Sequence, residues 1–174
     1  MPIGTDLFTL AMPPKCGCSW VLAALPAAGI VLPRRSNAHI LDPGCVNGLP
    51  SVTVQRSPDS MLLSYWLNRD KLGAARVEPI DRLIQLTKRF GGFREFLEDY
   101  LENHGGLLKE IRQLYASDYT ANTDSIGPDL AEIFSGIGVV FDSDVLRSYP
   151  KANETAAKPR WPRGMKQRVK ETEA

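Results

Sequence analysis

Short apolar runs alternate along the chain with stretches whose apolar residues recur at helical spacing. Leu7–Met12 is an apolar run that ends at two prolines, so it predicts a buried strand leading into a turn. Ser51–Gln55 alternates β-branched and polar residues and predicts a second strand. Each strand is followed by a turn with a cationic residue and then by a predicted helix, over Trp20–Ala28 and over about 58–69. The strand–turn–helix unit therefore occurs twice.

The second unit has the local signals of a helix start. Ser57 suits the N-cap position and Pro58 suits the first helical position. Asp59 complements the positive end of the helix dipole. Apolar side chains then recur on one face of the predicted helix, namely Met61, Leu62 and Tyr65.

The rest of the chain continues the alternation of helices and strands. Helical spacing predicts helices over Ile80–Phe90, Phe93–Leu101, Leu107–Tyr115 and Pro128–Ser135. Asp118–Thr120 predicts a further short strand. The pattern indicates an α/β fold with a mainly parallel central sheet flanked by helices. We expect one compact domain over residues 1–174, in which residues 152–174 form a basic, proline-containing C-terminal segment.

Composition narrows the class of protein. The 174 residues are 43% hydrophobic and 24% charged, which fits a globular domain with a hydrophobic core. The net charge of +1 argues against nucleic acid or a membrane surface as the partner. The apolar stretch Val21–Leu32 contains Pro26 and is too short to span a bilayer. These features predict a soluble cytoplasmic protein.

The three cysteines do not suggest a disulfide framework, because their number is odd. A reducing compartment is the simpler assumption. Cys16 and Cys18 form a C-x-C pair, but no second ligand pair nearby completes a zinc site. We therefore expect no bound metal.

The turn of the first unit reads P-K-C-G-C-S-W over Pro14–Trp20. It lacks the Walker pattern G-x-x-x-x-G-K-S/T of P-loop nucleoside triphosphatases. A small-residue turn between a strand and a helix nevertheless gathers backbone N–H groups and a helix N-terminus at one spot, where a phosphate can bind. An ordinary strand–helix connection is the alternative interpretation.

This turn resembles the loop of the sulfotransferase superfamily, which typically reads Pro-Lys-Ser-Gly-Thr-Thr-Trp. Cys16 and Cys18 depart from the usual serine and threonine. The resemblance implies a P-loop NTPase-like, three-layer fold that binds 3′-phosphoadenosine 5′-phosphosulfate. The loop residues that would hold its 5′-phosphosulfate are Lys15, Cys16, Gly17, Cys18, Ser19 and Trp20. A lysine there can follow the charge that develops on the bridging oxygen as the sulfuryl group leaves.

The segment T-V-Q-R-S-P-D-S-M-L-L-S-Y-W resembles the 3′-phosphate motif of the same family. Arg56 and Ser64 stand eight residues apart, as the phosphate-binding Arg and Ser of the family do. The resemblance implies a bidentate contact from Arg56 to the 3′-phosphate and a hydroxyl hydrogen bond from Ser64. The alternative is that Arg56 caps a loop and Ser64 is a small helix-packing residue.

His39 lies between the two motifs, where the family places its catalytic base. A neutral imidazole can take the proton from an attacking hydroxyl as the new S–O bond forms. The lysine that usually precedes the base by two residues is Asn37 here, which removes one cation from the transition state. Asp42 is the reserve candidate for the base.

The basic C-terminal segment resembles the family only loosely. Larger members hold the 3′-phosphate with an Arg-Lys-Gly loop, and the residues that could serve here are Lys158, Arg160, Arg163 and Gly164. A solvated terminal helix is the alternative. Because few residues separate Trp20 from His39, the acceptor side is expected to be open, formed by helices over 75–115, or completed by a partner subunit in a homo-oligomer.

The sequence thus predicts a sulfotransferase that moves a sulfuryl group from 3′-phosphoadenosine 5′-phosphosulfate to a hydroxyl or amine of a small-molecule or carbohydrate acceptor. Lys15 and His39 are the expected catalytic residues. A nucleotide-binding or scaffold protein that kept the fold and lost the reaction is the alternative. A small P-loop metabolite kinase is disfavoured, because a clear magnesium-binding carboxylate at a strand end is missing from the pattern.

Overall fold

The computed structural model of the chain describes residues 3–4, 6–32, 48–150 and 158–174. The chain forms two compact units, each built from two chain segments. The first unit, here called the sheet unit, comprises Met1–Arg56 and Tyr115–Glu154. The second, the helical unit, comprises Ser57–Leu114 and Thr155–Ala174. The expectation of one domain over residues 1–174, with a distinct segment at 152–174, stays a prediction.

The sheet unit contains a four-stranded sheet in the order β1-β2-β3-β4. Its strands are β1 Ile3–Gly4, β2 Thr9–Leu10, β3 Ser51–Gln55 and β4 Tyr119–Asn122. β1 runs antiparallel to β2, whereas β2, β3 and β4 are parallel to one another. The α/β class with a parallel arrangement of strands is therefore confirmed, because two of the three strand pairs are parallel.

Eight α-helices lie within the described residues. They are α1 Cys18–Ala27, α2 Pro58–Asn68, α3 Glu78–Arg89, α4 Phe93–Asn103, α5 Leu107–Leu114, α6 Ile126–Gly136, α7 Ser143–Ser148 and α8 Met165–Thr172, with a 3₁₀ turn at Arg69–Lys71 after α2. The predicted helices match α1 to α6 to within a few residues at each end. None of the described helices is both long enough and apolar enough to cross a membrane.

Two predicted strands differ from the observed ones. The run Leu7–Met12 contributes only two residues to the ladder, although Phe8, Leu10 and Met12 are all fully buried. This run is apolar because it lines the core, and burial does not require strand pairing. The strand predicted at Asp118–Thr120 lies one to two residues later, as β4.

Helix α7 was missed because it is short and has little periodicity. Its start is nevertheless defined locally by an N-cap. The side chain of Asp142 accepts hydrogen bonds from the backbone N–H groups of Asp144 and Val145, at 3.1 and 3.0 Å. An aspartate that satisfies these otherwise unpaired donors is a common helix-start signal.

The start of α2 lies at the predicted position, with Ser57 at the N-cap and Asp59 in the first turn. The side chain of Ser57 makes no capping hydrogen bond, and its carbonyl accepts from Met61 N instead. Asp59 is buried, and its carboxylate pairs with Lys166 Nζ at 3.4 Å and with Lys170 Nζ at 3.9 Å. Asp59 therefore forms a tertiary ion pair that joins α2 to α8, in addition to its interaction with the positive end of the helix dipole.

The register of β3 against β4 is reinforced where the two strands begin. The carboxylate of Asp118 accepts hydrogen bonds from Ser51 N at 2.8 Å and from Ser51 Oγ at 2.7 Å. These hydrogen bonds favour the charged carboxylate and hold the pKa of Asp118 below its usual value. The pair thus supports the register of β3 and β4, whose carboxyl ends lie at the same edge because the strands are parallel.

Each unit has its own core. In the sheet unit, Phe8 and Phe134 pack with ring centroids 4.6 Å apart among buried residues of β2, β3, α1, α6 and α7. In the helical unit, Trp66 of α2 stacks on Phe96 of α4 with centroids 5.1 Å apart. Buried aromatic rings of this kind contribute much of the hydrophobic stabilisation of a small unit.

Candidate functional site

The carboxyl edge of the parallel strands brings three chain segments together. The turn Pro13–Ser19 follows β2, Arg56 follows β3, and residues 123–125 follow β4. Thr123 N donates to the carbonyl of Gln55 at 2.9 Å, which fixes the third segment beside the second. A Cβ atom on Gly17 would lie 3.8 Å from Thr123 Cγ2, so the first segment packs against the third. In parallel sheets this edge is the usual place for ligand binding.

The turn after β2 has an unusual backbone. Lys15 has a φ of 70° and Gly17 has a φ of 87°, both in the left-handed region. Glycine adopts this conformation freely, whereas a residue such as Lys15 carries a strain of about 1 kcal/mol there. Left-handed residues within a turn are typical of the concave arrangements of N–H groups that bind anions. Strain of this kind often accompanies a functional site.

The two predicted phosphate motifs are neighbours in space. Arg56 Nη1 donates to the backbone carbonyl of Lys15 at 3.3 Å. This contact joins the loop after β2 to the end of β3, across 41 residues of sequence. A guanidinium has five N–H donors, so one such bond leaves most of its capacity for a ligand. The structure therefore brings Lys15 and Arg56 together.

Other residues of the predicted loop point into the protein. Cys16 is fully buried, and the indole of Trp20 is only 5% exposed, edge-on to Tyr149 with centroids 5.7 Å apart. The thiol of Cys18 donates to the carbonyl of Pro13 at 3.8 Å. The side chains of these three residues are therefore turned inward, and the backbone N–H of Cys16 donates to the carbonyl of Pro13 at 3.3 Å. Ser19, by contrast, is exposed at the start of α1.

Because Cys16 is buried and Cys18 is half-buried, we expect both thiols to react slowly. Burial is the main cause that raises the pKa of Cys18 from 9.0 to about 12. At pH 8 the thiolate fraction of Cys18 is therefore about a thousandfold lower in the folded protein than in the unfolded chain, and only the thiolate is nucleophilic. In a Cys45→Ser background, iodoacetamide should label Cys16 and Cys18 at least a hundredfold more slowly in buffer than in urea, as followed by peptide mass spectrometry. Equal rates would contradict this arrangement.

The remaining predicted site residues fall into two groups. Ser64 on α2, Arg160 and Arg163 belong to the helical unit, so their contribution to a nucleotide site stays a prediction. His39, with its neighbours at positions 37 and 42, lies outside the described residues. Its role as a base also stays a prediction.

The segment after β4 was missed by the sequence analysis. It places the exposed carboxylate of Asp124 at the same edge as the lysine loop. The adjacent Asp129 shapes this segment by accepting from Asn122 N at 2.8 Å and from Ser125 Oγ at 2.9 Å. The signal that could have revealed it is the polar run N-T-D-S directly after a strand.

Within the described ranges, no three or more His, Cys, Asp or Glu side chains are grouped so that they could hold a metal ion. Comparison of the chain with protein-family models, curated proteins and solved structures found no match. A functional interpretation therefore depends on the geometry of the carboxyl edge and on the motifs that meet there.

Proposed function

We propose that the carboxyl edge of the sheet binds the phosphates of 3′-phosphoadenosine 5′-phosphosulfate and that the protein transfers its sulfuryl group to a hydroxyl or amine. The observation that carries the proposal is the contact between Arg56 and the strained loop residue Lys15. This contact supports the proposal because it joins the guanidinium of Arg56 to the backbone of the loop that precedes the N-terminus of α1. A three-layer P-loop NTPase-like fold for the whole chain is part of this proposal.

In the proposed reaction the acceptor oxygen or nitrogen attacks the sulfur atom in line with the leaving group. The new bond to sulfur forms while the bond from sulfur to the bridging oxygen breaks, and its electron pair goes to the 5′-phosphate. Lys15 offsets the charge that develops on that oxygen, and His39 accepts the proton of the acceptor. Positioning and charge stabilisation supply the catalysis, without a covalent intermediate.

Nucleotide binding is tested with 3′-phosphoadenosine 5′-phosphate and 5′-AMP by isothermal titration calorimetry. The proposal expects the compound with two phosphates to bind more tightly than 5′-AMP. Arg56→Ala should weaken its binding by at least about tenfold and should reduce the preference for the 3′-phosphate, because a charge-assisted contact is lost. Arg147→Ala is the matched control, since Arg147 is an exposed arginine of α7 in the same unit.

If 3′-phosphoadenosine 5′-phosphate fails to bind the wild-type protein, the nucleotide assignment is wrong. An affinity that Arg56→Ala leaves unchanged would also contradict it. If binding is found, the transfer step is tested by following radiolabelled sulfate from donor to a panel of alcohols, amines and sugars. His39→Ala should abolish transfer and leave nucleotide affinity nearly intact.

A second candidate function is nucleotide binding without transfer. The observation that favours it is the inward thiol of Cys18, which bonds to Pro13 rather than offering a hydroxyl to the transferred group. The loop then has fewer donors for the charge that develops in the transition state. Tight binding of 3′-phosphoadenosine 5′-phosphate with no turnover across the acceptor panel would support this candidate, whereas magnesium-dependent ATP binding would favour a kinase.

A further inference from the structure

The helical unit contains a cavity lined in part by Arg160 and Arg163, the two arginines that the resemblance assigned to the 3′-phosphate of the nucleotide. Its volume is about 540 Å³, within the range of small-molecule sites. The lining residues come from the start of α4 and from the segment before α8, and they are Arg94, Arg160, Trp161, Pro162 and Arg163.

Three exposed arginines line this cavity, and the structure describes no carboxylate beside them. Among the described residues, no carboxylate lies within 4.0 Å of Arg94, Arg160 or Arg163. Like charges gathered at one place repel one another, so the cluster is stabilised when an anion binds. The planar guanidinium groups present paired donors that match the oxygens of a phosphate or sulfate.

An aromatic ring forms one wall of the same cavity. Trp161 packs edge-on against the buried Phe93, with ring centroids 5.2 Å apart and an interplanar angle of 80°. Phe93 directly precedes Arg94 in α4, so one helix start both holds the indole and supplies a cation. Pro162 restricts the backbone beside the ring. The half-buried indole offers an apolar surface to a ring next to the cations.

We propose that this arginine–tryptophan cavity binds a small ligand in which a phosphate or sulfate ester is carried on a ring. The arginines hold the oxyanion and Trp161 packs against the ring. The site lies in the helical unit, and its ligand is distinct from the nucleotide of the sheet unit. An oxyanion without a ring uses only part of the cavity and binds more weakly.

The test is isothermal titration calorimetry with phenyl phosphate, inorganic phosphate and phenol. Phenyl phosphate should bind at least about fivefold more tightly than either fragment. Arg94→Ala and Arg163→Ala should each weaken it at least about fivefold, because each removes a charged donor. Arg168→Ala, an exposed arginine of α8 outside the lining, should have no effect. Trp161→Phe should retain most of the preference for phenyl phosphate over inorganic phosphate, and Trp161→Ala should lose it.

Two outcomes would overturn this proposal. One is phenyl phosphate binding that Arg94→Ala and Arg163→Ala leave unchanged, in variants whose circular dichroism shows that they are folded. The other is phenyl phosphate that binds no more tightly than inorganic phosphate, since Trp161 would then contribute nothing to recognition of the ring. Lys15→Ala should not change phenyl phosphate binding. The result therefore stands whether or not the sheet unit binds a nucleotide.

Discussion

Replacing Glu173 by alanine is expected to lower the free energy of unfolding by about 3–5 kcal/mol, a large share of the stability of a small protein. Glu173 is fully buried and lies beside the start of α5. Its carboxylate accepts from Gly106 N and Lys109 N, each at 2.7 Å, and from the hydroxyl of Tyr100 at 2.5 Å. It thus supplies the negative charge and the acceptors that a helix N-terminus requires.

The alanine variant would leave these donors buried without an acceptor, and that penalty exceeds the value of the bonds themselves. The surrounding hydrogen bonds are interdependent. Tyr100 Oη also accepts from Leu108 N at 3.2 Å, and burial followed by the charge of Glu173 raises the pKa of Tyr100 well above its usual range. Tyr100 therefore remains a neutral donor.

Urea unfolding followed by circular dichroism measures the effect. Glu171→Ala is the control, because Glu171 is exposed on α8. Within the described part of the chain, its side chain hydrogen-bonds only to Gln167. That variant should change the free energy of unfolding by no more than about 0.5 kcal/mol. Equal effects of the two substitutions would show that the buried cap does not contribute as expected. Tyr100→Phe should give an intermediate loss.

Gly127→Ala should destabilise the sheet unit by about 2–3 kcal/mol. A Cβ atom at this position of α6 would lie 2.6 Å from the carbonyl oxygen of Leu146 and 3.3 Å from that of Arg147. These are backbone atoms of α7, so a rotamer change cannot relieve the overlap and the helix itself must move. Leu146 is fully buried in the core, and its displacement would disturb the packing there.

Gly136→Ala provides a control within the same helix. Apart from its chain neighbours and the backbone of its own helix, no atom of the described residues lies within 4 Å of a Cβ built at Gly136, and its φ is not in the left-handed region. Alanine has the higher helix propensity, so this variant should be as stable as the wild type or more stable by up to about 1 kcal/mol. Thermal unfolding of both variants makes the comparison. A Gly127→Ala protein as stable as Gly136→Ala would contradict the close approach of α6 and α7.

The sequence by itself determined the elements whose signals are local. The alternation in Ser51–Gln55 predicted β3 with its observed bounds, and helical spacing located α2, α3 and α4 to within a few residues. Helical spacing depends on side chains three or four positions apart, and alternation depends on every second residue, so a short window of sequence contains both patterns. The turn motif with Lys15 and the cation Arg56 could also be read there.

Only the tertiary structure decided how these parts meet. The hydrogen bond from Arg56 to Lys15 joins residues 41 positions apart, and the cap from Glu173 to Gly106 spans 67. The same holds for Thr123 beside the loop and for the burial of Cys16 and Trp20, two residues of the loop that the motif assigned to a ligand. Contacts of this kind depend on which strands become neighbours and which surfaces are covered. That outcome reflects the packing of the whole chain, and no local periodicity specifies it.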